Sequence, residues 1–176
     1  MKKGVILYQS KYGATKKYAE WLQEATGFDC IETKKAKISD VEKYDVVILG
    51  GGVYASGILG FPFLKKHISR LKGKRVAVFC VGASPYDEKA IEAVRKLNFK
   101  DELSGVPLFY CRGAWNKDTM KFLDRKLCDM LIMATENQDP STYEPWQKAL
   151  MSTSGKNCDW TDRSYLEALI EFAVSE

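Results

Sequence analysis

Short apolar runs and helical repeats take turns along almost the whole chain, and few architectures accommodate that order. Four runs bounded by turn residues, Val5–Tyr8, Val46–Leu49, Val76–Phe79 and Val106–Tyr110, read as strands buried on both faces. Phe28–Thr33 is a weaker fifth. Between them Ala14–Ala25, Leu59–Leu71 and Glu88–Leu97 space apolar residues three and four apart, as a helix with one buried face does. Such alternation predicts an α/β fold, a doubly wound parallel sheet with helices on both faces and right-handed crossovers. With no internal repeat and no linker, residues 1–176 are expected to form one domain.

Several function classes drop out on composition. The opening Met1–Tyr8 has an apolar run of four residues, too short for a secretory signal, and no stretch approaches the length of a membrane span. The five cysteines (Cys30, Cys80, Cys111, Cys128, Cys158) are odd in number and lack a CxxC pair. Neither a disulfide framework nor a zinc site is suggested, and a reducing cytoplasm is the expected home. Cys80 and Cys111 end predicted strands and read as small buried hydrophobes. His67, the only histidine, lies beside Lys65 and Lys66 and reads as a surface residue, so no Ser-His-Asp triad is available. The net charge of +4 is uneven: residues 1–75 carry fifteen Lys and Arg against seven Asp and Glu, a surplus of eight. Pairs such as Lys16-Lys17, Lys34-Lys35 and Lys74-Arg75 fall on predicted helix faces or element edges, so they read as solvated surface rather than a nucleic-acid footprint.

In an open parallel sheet ligands bind beyond the carboxyl ends of the strands, so the segments after the first, third and fourth strands carry the chemistry. The first, Ser10-Lys11-Tyr12-Gly13-Ala14-Thr15, joins a strand to a helix and suits a phosphate. Unpaired N–H groups at the helix start would meet the anion, Ser10 and Thr15 would add hydroxyls, and Gly13 would let the backbone turn closely. Ser10 or Thr15 serves equally as an ordinary helix cap. It is not a Walker loop, because Gly13 is followed by Ala14 rather than lysine. The second, Gly50-Gly51-Gly52-Val53-Tyr54-Ala55, formally fits the dinucleotide pattern GxGxxG/A, yet Ser56, Gly57, Gly60 and Pro62 follow where a helix should open. It reads as flexible backbone against a flat ligand, with Tyr54 able to cover one face. The third, Val81-Gly82-Ala83-Ser84-Pro85-Tyr86, again joins glycine, hydroxyl and aromatic. Together they describe a site for a phosphorylated planar ring, the shape of FMN.

At these residues the chain resembles the flavodoxins. Ser10–Thr15 fits their phosphate signature Ser/Thr-x-x-Gly-x-Ser/Thr, and Gly82–Tyr86 resembles their second ring-binding loop. The resemblance implies a five-stranded sheet of order 2-1-3-4-5 and an FMN cofactor. It places Ser10, Lys11, Tyr12, Gly13, Ala14 and Thr15 at the phosphate, and Gly51, Gly52, Val53, Tyr54 and Ala55 at the dimethylbenzene or N5 side. Val81, Gly82, Ala83, Ser84 and Tyr86 fall at the pyrimidine side. A redox flavoprotein is implied, with a redox partner protein or a quinone-like small molecule as partner. Flavodoxins are strongly acidic, so the +4 balance points away from a simple carrier.

After the fifth strand the pattern loosens. Met120–Ala134 carries an apolar stripe of Phe122, Leu123, Leu127, Met130, Leu131, Met133 and Ala134, expected to pack on the domain rather than meet a membrane or partner. A segment near Trp146–Met151 follows, then a final helix from about Asp159, its candidate cap, to Val174. Arg112-Gly113-Ala114-Trp115, Phe122-Leu123-Asp124-Arg125 and Asp159-Trp160 resemble the flavodoxin-type quinone-dependent protoporphyrinogen oxidases. Where such an oxidase is expected to carry a basic loop after the fourth strand, this chain has Ser84-Pro85-Tyr86-Asp87-Glu88. A third reading is a flavodoxin-fold binding protein without redox chemistry, using the Met120–Ala134 helix as its contact surface.

Overall fold

The apolar runs become strands, most of them longer than the runs themselves. The computed structural model describes residues 2–153 and 156–175. In chain order the elements are β1 (Gly4–Gln9), α1 (Ala14–Thr26), β2 (Asp29–Glu32), α2 (Ile38–Val41), β3 (Val46–Tyr54), β4 (Gly57–Ile58), α3 (Phe61–His67), β5 (Arg75–Gly82), α4 (Glu88–Asn98), β6 (Leu108–Arg112), β7 (Ala114–Trp115), α5 (Phe122–Glu136), α6 (Pro145–Ser152), β8 (Cys158–Asp159) and α7 (Glu167–Val174). Five strands form a parallel sheet in the order β2-β1-β3-β5-β6, the order 2-1-3-4-5 once β4 is set aside. β4 folds back antiparallel on the end of β3, and β7 pairs with β8.

Period-two alternation divides the strand side chains between two cores. Val5, Leu7, Val47, Leu49, Val78 and Cys80 face α2, α3 and α4 through Val41, Phe61, Leu64 and Val94. Ile6, Val46, Ile48, Ala77 and Phe79 face α1 and α7 through Tyr18, Leu22, Leu169 and Ala173. Burial pushes the Cys80 thiol up to about 12, so it behaves as an inert hydrophobe.

The structure revises four expectations. Residues 50–54 are not a loop: β3 runs on through Gly50, Gly51, Gly52 and Val53 to Tyr54, because β1 and β5 flank it and supply partners (Gly51 pairs with both Gln9 and Cys80). The helix expected over Leu59–Leu71 starts two residues late, since Leu59 donates its N–H to Gly52 O at 3.0 Å and Gly60, at φ 81°, redirects the chain, and it ends as a 3-10 helix over Ile68–Leu71. Asp159 does not cap the last helix; it lies in β8, and Asp162 caps the 3-10 turn Arg163–Leu166 that leads into α7, accepting from Ser164 N at 2.8 Å. Finally, the α5 stripe does not pack inward as a whole: Leu127 and Leu131 border the open space beyond the strand ends, and the rest of the stripe faces outward. Phe122 is 77% exposed, Leu123 71% and Met133 63%. Its inward face carries Asp124, Cys128 and Thr135, and the segment between α5 and α6 is tied to both helices by polar contacts: Tyr143 OH to Thr135 O of α5 at 2.9 Å, and Gln147 Nε2 of α6 to Gln138 Oε1 at 2.9 Å.

Among the described residues no helix is long and apolar enough to cross a membrane, and no cluster of His, Cys, Asp and Glu is placed to hold a metal.

A Cβ on Gly50 would stand 2.1 Å from the Phe79 ring, which is fully buried. Gly50→Ala is therefore expected to cost roughly 1–3 kcal/mol of folding stability through overpacking, read as a lower urea midpoint at unchanged slope. An unshifted midpoint would mean that this packing does not govern the sheet.

Candidate functional site

β1 leads to α1 on one face of the sheet and β3 leads to α3 on the other, so the strand order reverses between these neighbours. A crevice must open there. It is a cleft of about 660 Å³, within the usual range for small-molecule sites. Its walls include Ser10, Lys11, Tyr12, Ala14 and Thr15 after β1, Gly52, Val53, Tyr54 and Ala55 at the end of β3, and Val81, Gly82 and Ala83 at the end of β5. Of the residues expected at the site, Gly13, Gly51, Ser84 and Tyr86 stand outside this lining. Gly13 caps α1, Gly51 is buried beneath the cleft, and Tyr86 is 62% exposed with its ring edge-on to Tyr110.

The first segment is built to receive an anion. Gly13 adopts φ 97°, a left-handed conformation that places the start of α1 at the cleft. The Ser10 hydroxyl accepts from Gly13 N at 3.0 Å, and the first helical bond runs from Lys17 N to Gly13 O at 2.9 Å. The amides of Ala14, Thr15 and Lys16 are thus the unpaired donors of the first turn, at the positive end of the helix dipole. Thr15, only 3% exposed, turns its hydroxyl toward Gly52, where a Cβ would come within 3.8 Å of Thr15 Oγ1. Two hydroxyls and a free helix start are the donor set a phosphate needs, so the residues fit the phosphate of FMN.

The same segment is tied to α5. Asp124 accepts from both the Lys11 ammonium and the Tyr12 hydroxyl, and Lys121 N donates to Tyr12 OH at 3.2 Å. Hydrogen bonds from Lys11 and Tyr12 hold the Asp124 carboxyl below the usual carboxylate range, while its hydrogen bond raises the Lys11 ammonium. A carboxyl stabilised in this way contributes above its unfolded pKa of about 3.9 and lets go only as the pH falls through its lowered folded value. The latch is therefore complete at neutral pH. The Lys11 ammonium also lies 5.2 Å from the Tyr54 ring centroid, close enough for cation–π attraction.

The other walls are held by different means. Val53 and Tyr54 pair with Ile58 and Gly57 across a two-residue turn in which Ala55 (φ 46°) and Ser56 (φ 64°) are both left-handed. Asn98 braces the turn, donating to Ser56 O at 2.7 Å. At the end of β5, Gly82 O accepts from Gly113 N at 2.7 Å, Ala83 O accepts from Arg112 Nε at 3.2 Å, and Ser84 O accepts from Tyr110 OH. With these carbonyls engaged, the polar groups left to a ligand are mainly N–H donors, which suits a ring edge rich in acceptors.

Sequence reasoning missed the rest of the lining: Gly113, Ala114, Trp115, Met120, Asp124, Leu127, Cys128, Leu131 and Trp146. Asp124 sits in the first turn of an amphipathic helix, and no local pattern reveals that this turn folds back on Lys11 and Tyr12. Among the described residues Lys11 and Asp124 are the only charged groups in the lining, and they neutralise one another.

The sequence profile of the family described as Flavodoxin domain matches residues 5–142. Among solved structures the chain is similar to a flavodoxin, WrbA-like protein from Agrobacterium tumefaciens (TM-score 0.51, 15% identity, 72% of this chain and 89% of that one). It is also similar to a putative flavoprotein from Bacteroides eggerthii (0.49, 20%, 62% and 88%). The two-electron reduced flavodoxin of Megasphaera elsdenii is another (0.46, 21%, 61% and 82%). Among curated proteins nothing matches.

Asp124→Asn removes a negative charge beside the phosphate segment and frees the Lys11 ammonium. The ratio of FMN to riboflavin affinity is expected to rise roughly 2- to 10-fold at low salt and to shrink toward the parent ratio at high salt. A ratio that stays constant, or falls, would show that Asp124 does not act on the bound phosphate.

Proposed function

The chain belongs to the flavodoxin-domain family, and from that premise we propose that it binds FMN non-covalently and works as a redox flavoprotein. The supporting observation is the segment after β1, where a left-handed Gly13, the Ser10 and Thr15 hydroxyls and the open start of α1 converge on the cleft. In this reading the Ser10–Thr15 segment holds the phosphate, Gly52–Ala55 flank one side of the ring, and Val81–Ala83 flank the other, with Ala83 and its neighbours presenting N–H donors. FMN, when bound, supplies one- and two-electron redox chemistry. Leu127, Leu131 and Trp146 supply apolar wall for the ring to cover, and no side chain acts as a general acid or base. The five free cysteines fit a reducing, cytoplasmic setting.

The partner we favour is a small uncharged molecule of the quinone type rather than a redox protein, because the lining is mostly apolar and its one ion pair is internally neutralised. Quinone-linked protoporphyrinogen oxidation is the second reading, favoured by the outward apolar face of α5. A dianionic porphyrin, however, would meet no unpaired cation among the described lining residues. The acidic pair after β5 is accounted for separately: Asp87 caps α4 by accepting from Ala90 N at 2.8 Å, and Glu88 opens its first turn. Flavin-dependent protoporphyrinogen oxidation coupled to quinone reduction, well above background, would reverse this ranking. A bound flavin that accepts no electrons from dithionite or any reductase would favour the binding protein without redox chemistry.

Replacing Ser10 and Thr15 together with alanine is expected to weaken FMN binding by about 2–4 kcal/mol, each lost hydrogen bond to a charged group contributing roughly 1.5–3 before water substitutes. Riboflavin affinity should barely move, and fluorescence titration reads both. FMN affinity unchanged within threefold would place the phosphate elsewhere.

A further inference from the structure

Beside the cofactor cleft lies a second, smaller cavity of about 140 Å³. Three of the chain's four tryptophans, Trp115, Trp146 and Trp160, form its walls together with Leu131 and Leu150. Among the described residues no lining side chain carries a charge, and beside the indole N–H groups the polar side chains are Ser84, Thr153 and the Cys128 thiol. Thr153 already donates its hydroxyl to Leu150 O at 2.7 Å, which leaves Ser84 as the free hydroxyl donor. Trp160 is held in place: the Arg112 guanidinium lies 4.1 Å from its ring centroid, and Trp160 N donates to Gly113 O at 3.1 Å. Ala83, Trp115, Cys128, Leu131 and Trp146 belong to both cavities, so the slot opens directly on the cleft.

Size, charge and wall chemistry narrow the occupant. An apolar cavity of about 150 Å³ holds a single benzene ring, and indole walls favour a flat π-system by offset or edge-on stacking. An ionised group would enter without a counter-charge and lose its hydration uncompensated. We propose that the slot binds one uncharged, planar six-membered ring, placing it at the edge of the cofactor cleft, with Ser84 available to donate to an oxygen on that ring. The assignment rests on the FMN reading only for what lies next door; the slot's own walls are protein.

The test uses the full chain in both flavin-free and FMN-loaded form, with fluorobenzene as neutral probe and 4-fluorobenzoate as its anionic counterpart, followed by fluorine NMR. Saturable one-site binding of fluorobenzene is expected in both forms, with 4-fluorobenzoate at least tenfold weaker. Ala149 lines the slot from α6 without lining the cleft. Ala149→Leu should weaken fluorobenzene at least tenfold while FMN affinity stays within threefold, and Ala149→Ser should retain both. Non-saturable fluorobenzene binding, equal affinity for the two probes, or an Ala149→Leu variant that binds as tightly as the parent would overturn the proposal. Because the flavin-free arm does not depend on FMN, failure of the slot and failure of the cofactor assignment give different results.

Discussion

The site depends on a stretch of central strand that carries no side chains. Past Leu49, β3 continues through Gly50, Gly51 and Gly52, the first two still paired to both β1 and β5 and Gly52 to β5. The space where their Cβ atoms would stand is already filled: by the Phe79 ring at Gly50, and by the carbonyl of Leu59, 2.1 Å away, at Gly51. At Gly52 a Cβ would press to 3.2 Å from the Tyr54 ring, over the hydroxyl of Thr15. These glycines let a packed sheet end in an open cleft at the point where strand order reverses.

Most of the scaffold was legible in the sequence because it rests on local periodicity. The runs at Val5–Tyr8, Val46–Leu49 and Val76–Phe79 are apolar on both faces, as strands between two helical layers must be, and they occupy the central positions of the sheet. The segment Ser10–Thr15 was legible because hydroxyls and glycine between a strand and a helix have few structural uses. The glycine run was misread as a loop because glycine disfavours strands in isolation, whereas two neighbouring strands supply the hydrogen bonds that hold it. The stripe on α5 was misplaced for a related reason. Periodicity reports which face is apolar, not which face is covered, and here the covered face is the one bearing Asp124, Cys128 and Thr135.

The C-terminal third shows what local reading cannot reach. The segment linking α5 and α6 is held to both by polar contacts of Thr135, Tyr143, Gln138 and Gln147, and α5 is fastened to the phosphate segment by the Lys11, Tyr12 and Asp124 cluster. These are contacts between residues up to 113 positions apart, and none has a signature in spacing. They convert a bare sheet end into an enclosed cleft with neutral walls, and they bring three tryptophans to one side of it. The charge balance of the whole chain, +4, thus says little about the site, where the charged groups among the described lining residues cancel.

The central claim is that this cleft is filled by FMN in the protein as it is made. The direct measurement is the visible spectrum of the freshly purified full chain, followed by acid precipitation and identification of the released flavin. The account predicts a flavin spectrum and about one FMN per chain in the supernatant, none of it covalently retained. A colourless protein that releases no flavin and does not quench the fluorescence of added FMN would contradict it.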